Sequence, residues 1–200
     1  MALRAVFLDV DGVLVDADLL PLEYQRLMGD VLAPVLGGSP EDWGRANAVT
    51  FPALLERLLA TFGPDSDPLA ACRFEYVENV RAMCRVLGIR EPDEDTSYRL
   101  GLEFNLHVRG AHGAVFPEAA PAVRSLAARY DVHLATGNPS WLCEAQLDGM
   151  GVRDAVGILC GPDLLGTPKH SPRYYPHLFA LASVDPAEVV VVDDRPGHLD

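Results

Sequence analysis

AVFLDVDG, residues 5–12, is the stretch on which the reading of the whole chain turns. Residues 5–10 form a short apolar run with β-branched members, the pattern of a buried strand, and Asp11-Gly12 breaks it. A lone apolar strand needs neighbours, yet the next hundred residues or so offer none. Four amphipathic segments follow instead, over residues 19–36, 41–62, 69–87 and 93–108. Gly37-Gly38-Ser39-Pro40, Gly63-Pro64 and Glu91-Pro92 punctuate them as helix stops and starts. Leu54, Leu55, Leu58, Leu59 and Phe62 recur with helical period.

After Gly110 the pattern changes. Helix-like segments at 117–130, 140–150 and 172–183 alternate with strand-like runs at 132–136, 156–160 and 188–192. Such alternation implies a parallel sheet covered on both faces. The fold class read from the two ends is therefore α/β, a Rossmann-like parallel sheet formed by residues 1–16 and 113–200. An all-helical module, residues 17–112, is inserted after the first strand.

Composition narrows the function. The chain has 200 residues and a formal net charge of -13, which disfavours nucleic acid or an anionic membrane as partner. No apolar run approaches the ~20 residues that span a bilayer, and no signal peptide is evident, so a cytoplasmic location is expected. Cys72, Cys84, Cys143 and Cys160 form no CxxC pair and read as buried free thiols rather than a zinc site. Of the 16 basic residues only Lys169 is lysine. A chain that otherwise uses arginine can retain a compact, mobile ammonium where one is needed.

In an open parallel sheet, ligands bind beyond the carboxyl ends of the strands. The first strand ends in Asp9 and Asp11, the next in Thr136, the last in Asp193 and Asp194. Lys169 lies in the loop TPKHSP that precedes the helix leading to the last strand. Each aspartate alone reads as an ordinary turn or cap residue. As a set, four carboxylates repel, and a fold tolerates them only with a cation or by protonation. Oxygen donors in that number suit Mg2+.

These segments resemble the four motifs of the haloacid dehalogenase superfamily, in its phosphatase branch with a helical cap after the first strand. FLDVDGVLVD is similar to the first motif, LATGN to the second, PKHSP to the third and VVVVDD to the fourth. The resemblance implies a Mg2+-dependent phosphohydrolase acting on a small phosphorylated metabolite. Asp9 would be the nucleophile that forms an aspartyl-phosphate, and Asp11 the acid and then base. Thr136, Gly137 and Lys169 would bind the phosphoryl group, with Asp11. Asp193 and Asp194 would hold the metal together with Asp9 and the Asp11 carbonyl. Two departures stand out: Lys-His-Ser-Pro replaces the common Lys-Pro-x-Pro, with His170 read as a loop residue. The sequence also ends at Asp200, directly after the fourth motif, where such proteins usually add a helix and strand, so those elements are expected to be missing.

Tyr24, Trp43, Arg45 and Asn47 lie in the inserted module and are candidates to touch substrate, with Trp43 expected in its core and Arg45 on its solvated face. His107, His112 and Trp141 read as structural, and Arg195 as a loop residue or a partner of the metal pair. A dehalogenase has no use for Asp11, and a Schiff-base phosphonatase needs a cap lysine that is absent. A phosphomutase uses the same groups and stays open. A signalling receiver domain needs no cap, and a non-catalytic phosphate-binding module predicts loss of one of these residues. No GxGxxG follows the first strand, against a dinucleotide site.

Overall fold

The computed structural model describes residues 2–195. Strand β1 runs Ala5–Leu8, β2 Asp131–Ala135, β3 Leu159–Cys160 and β4 Val189–Val192. All pair in parallel, in the order β3-β2-β1-β4. The first strand is thus an inner strand, flanked by partners from far along the chain, and its four residues are all buried. Alternation along β1 divides the core. Val6 and Leu8 join Val132 and Leu134 on one face, under Val123, Cys143 and Leu147. Ala5 and Phe7 join Ala135 on the other, against Tyr174 and Leu178.

The helices that cover the sheet are α5, Ala119–Ala127, and α6, Ser140–Gly149, on the first face, with α7, Pro162–Leu165, and α8, Tyr174–Ala182, on the second. Tyr174 is fully buried, and its hydroxyl lies 2.9 Å from the Thr136 carbonyl and 2.6 Å from that of Cys160. It ties the ends of β2 and β3 together just beneath the site.

Between β1 and α5 the chain forms four helices: α1 Leu20–Leu36, α2 Pro40–Thr61, α3 Pro68–Leu87 and α4 Glu94–Gly110. Ser39, Asp67 and Asp93 accept hydrogen bonds from first-turn amides and start the last three. Gly88, at φ 65, ends α3 in the left-handed conformation that glycine adopts without a Cβ penalty. Met28, Leu32, Trp43, Val80, Met83, Leu100 and Phe104 build a core separate from the two under the sheet. This is the inserted all-helical cap.

Three elements are shorter than the sequence suggests. The strand expected from Val156 becomes regular only at Leu159, because residues Arg153–Ala155 coil into a 3-10 turn. The Ile158 amide also donates to the His133 ring at 3.1 Å, outside the backbone ladder. Glu188 belongs to a turn, Pro186–Glu188, started by the Asp185 side chain, so β4 begins at Val189. β1 stops at Leu8, so Asp9 and Asp11 lie in the turn beyond it rather than on the strand itself. The expectation about elements after the fourth motif falls outside the described residues. No helix among those described is long and apolar enough to cross a membrane. All four cysteines are free.

Candidate active site

Asp9 is held by both neighbours of its strand end. Its amide donates to the Val192 carbonyl at 2.9 Å, continuing the β1–β4 pairing one residue further. Its carboxylate accepts from the Val10 amide at 2.8 Å. Lys169, 7% exposed, places its ammonium 2.7 Å from Asp9 Oδ2 and 2.7 Å from Asp193 Oδ2. Burial pushes the Asp9 carboxyl above its ordinary value, and Lys169 pulls it back. The chain's single lysine thus bridges the ends of β1 and β4.

Oxygens of Asp9, Asp193 and Asp194 lie within 4.8 Å of one another. Three carboxylates against one ammonium leave two negative charges, a set that fits a divalent cation with oxygen ligands. Gly12 makes the approach of Asp194 possible: a Cβ there would stand 2.4 Å from the Asp194 carboxylate, and φ is +84°. Asp193 also accepts from the Arg195 amide at 2.9 Å, so Arg195 closes the turn after β4.

Thr136, 1% exposed, follows β2, and its hydroxyl accepts from the Asn138 amide at 3.1 Å. Gly137 is exposed beside it and faces the Lys169 loop. The structure therefore brings Asp9, Thr136, Gly137, Lys169, Asp193 and Asp194 to one edge of the sheet.

Asp11 is different. Arg109, in the last turn of α4, donates to both its carboxylate oxygens, at 2.5 and 3.0 Å, and the Asn138 amide nitrogen donates at 3.0 Å. Despite partial burial these bonds hold the Asp11 carboxyl below its ordinary value. In this arrangement Asp11 is an ionised partner of the cap, not the protonated acid expected of it. Arg109 is 5% exposed, with Tyr24 alongside, and its Nε has no hydrogen-bond acceptor among the described residues. Neither Arg109 nor the side chain of Asn138 stood out in the sequence. Asn138 lay within LATGN, whereas an arginine before Gly110 carries no signal until the cap is folded over the core.

The family is visible in sequence as well as geometry: a model of haloacid dehalogenase-like hydrolases matches residues 3–199. The chain belongs to this family. No curated protein matches it. Among solved haloacid dehalogenase-like structures it is similar to the defluorinating L-2-haloacid dehalogenase Rha0230, at 18% identity and TM-score 0.67, covering 98% of this chain and 76% of that one. It is also similar to the magnesium-bound HAD-hydrolase YfnB of Bacillus subtilis, at 14% identity and TM-score 0.64, covering 100% and 83%. A mutant CbbY of Rhodobacter sphaeroides in complex with xylulose 1,5-bisphosphate aligns at 18% identity and TM-score 0.56, covering 98% and 80%. At these identities the likeness is one of fold.

The remaining candidates separate cleanly. Trp43 is fully buried in the cap core and donates to the Gly37 carbonyl at 2.9 Å. Arg45 is exposed and paired with Asp42. Asn47 is buried, and Tyr24 donates to Asn105 at 2.7 Å. His107 sits 3.6 Å from Asp30 at the surface, and His112 lies 3.0 Å from the Gly110 carbonyl. Trp141 reaches from α6 to the Tyr76 hydroxyl of the cap at 3.4 Å. Beside Gly137 a cavity of about 140 Å³ opens between cap and core, lined by Leu58, Phe62, Cys72, Glu75 and His170 among others.

Proposed function

We propose that the protein is a Mg2+-dependent phosphohydrolase of a small phosphorylated metabolite, acting through an aspartyl-phosphate at Asp9. One observation carries the reading: Lys169 bridges Asp9 and Asp193 while a second carboxylate, Asp11, stands two residues beyond the first. A haloacid dehalogenase needs one nucleophilic carboxylate and no neighbouring acid. Residues 17–112 would act as the cap, over a core of 1–16 and 113–200.

Asp9 Oδ1 or Oδ2 attacks phosphorus, and the ester bond to the leaving oxygen breaks. Lys169, the Thr136 hydroxyl and the Gly137 amide bear the charge that develops on the phosphoryl oxygens. When Arg109 lets go, Asp11 loses the bonds that keep it ionised and takes up a proton from solvent; it gives that proton to the leaving oxygen, then takes one from the water that cleaves the acyl-phosphate. Arg109 sits in the last turn of α4, so release of Asp11 couples the proton transfer to the cap. Asp9, Asp193 and Asp194, with the Asp11 carbonyl, would hold Mg2+, which neutralises charge on the phosphoryl group when bound.

The test is a panel of phosphate monoesters with Mg2+, run beside 2-chloropropionate in a halide-release assay. Phosphate release that disappears with chelator supports the reading. Halide release without phosphate release, unaffected by chelator, overturns it.

A further inference from the structure

The cavity beside Gly137 has two unlike walls. α2 contributes Leu58 and Phe62, and α3 presents Pro68, Ala71, Cys72 and Glu75 at helical spacing. Further along α3, Val80, Met83 and Cys84 join the cap core. Two carboxylates border the cavity on this side: Asp67, the α3 cap, whose side chain accepts from the Leu69 amide at 2.9 Å, and Glu75, set within the otherwise apolar α3 stripe. No residue among those described donates a hydrogen bond to Glu75, and Arg109 attracts it only at longer range, its own bonds being given to Asp11.

We propose that this cavity receives the leaving group of the substrate, and that Glu75 selects phosphate esters whose leaving group ends in a hydrogen-bond donor, an ammonium or a hydroxyl. The proposal rests on the phosphohydrolase reading and deepens it. Gly137 belongs both to the proposed phosphoryl site and to the cavity wall, so an ester held at the first extends into the second. The volume, about 140 Å³, is close to that of an apolar cavity that accepts a benzene ring, roughly 150 Å³. A leaving group of about six carbon-sized atoms fits.

The charge around the cavity decides the sign of its far end. Cys72 is kept a neutral thiol, its pKa pushed up to about 12 by burial and by the nearby carboxylates of Glu75, Asp163 and Asp67. That field repels a second phosphate or carboxylate on the substrate. Burial likewise pushes Glu75 up to about 7, the response of a carboxyl lacking a close cation. A substrate donor would supply the missing partner, and an ammonium would add charge assistance.

Three esters built on the same five-carbon chain test this: n-pentyl phosphate and its ω-hydroxy and ω-amino analogues, with p-nitrophenyl phosphate as a donor-free control. Wild-type kcat/KM should favour both donor-bearing esters over n-pentyl phosphate by about tenfold or more. Glu75→Leu should reverse that order. Glu75→Gln, nearly isosteric, should keep the hydroxyl preference and lose the extra advantage of the amine. Equal rates on the three esters, or a ranking unchanged in Glu75→Leu, would overturn the proposal. If neither these esters nor p-nitrophenyl phosphate turn over, the phosphohydrolase reading fails instead. Calorimetric binding of the same esters to the Asp9→Asn variant then reads the cavity without the chemistry, and the same ranking is required there.

Discussion

Arg109 grips Asp11 with two hydrogen bonds across 98 residues of sequence, joining the last turn of the cap to the loop after the first strand. The guanidinium is almost wholly buried and the carboxylate about one-third exposed. Because the pair lowers the Asp11 pKa, it stabilises the fold above the unfolded value of about 4 and is lost as pH falls through the depressed folded value. Arg109→Met should cost about 1–3 kcal/mol at neutral pH, discounted for the solvent that reaches Asp11. It should also flatten the fall of stability below about pH 4. Urea titrations of both proteins between neutral and acid pH measure the difference.

The two first-motif aspartates should fail differently. If Asp9 is the nucleophile, as proposed, Asp9→Asn should abolish phosphoryl transfer. Asp11→Asn should lose about 100- to 10,000-fold on alkyl phosphates and less on aryl phosphates, whose leaving group needs little protonation. Rapid quench of the Asp11 variant should trap labelled phosphate on Asp9. Turnover of an aryl phosphate with no label ever on Asp9 would mean that water attacks directly.

Metal binding should register as stability. Mg2+ at a hundred times its dissociation constant should add about 2.7 kcal/mol to the folded state. Asp193→Asn and Asp194→Asn should each reduce the midpoint shift seen by calorimetry on adding Mg2+. An unchanged shift in both variants would place the ion elsewhere.

The α1–α2 contact depends on missing side chains. A Cβ on Gly44 would stand 1.9 Å from the Gln25 carbonyl oxygen, and one on Gly29 would stand 2.2 Å from that of Pro40. These neighbours are backbone and cannot swing aside. Gly44→Ala should therefore destabilise the cap by about 1–3 kcal/mol despite alanine's better helix propensity. Hydrogen exchange in α1 and α2 should rise before that in β1.

The α/β core was legible because β1 and β4 are unbroken apolar runs and because carboxylates, a threonine and the single lysine sit where strands end. The cap was legible from its helical period and from Ser39, Asp67 and Asp93 as start signals. Arg109 and Glu75 were not legible. Each lies on an amphipathic helix among other charged residues, and only the packing of cap on core separates them from solvated neighbours. The shortness of β3 was hidden for a similar reason, since His133 captures the Ile158 amide from an adjacent strand.

The order β3-β2-β1-β4 sets a timetable for synthesis. β1 leaves the ribosome well before its partners, paired at Ala5↔Asp131 and Ala5↔Val189, have been made. During that interval the cap, with its own buried core, can form from local contacts while a fully apolar strand waits unpaired. Folding of the nascent chain therefore runs from the insertion outward, and β1, which leads to Asp9, remains exposed to unwanted pairing until β4 has been made.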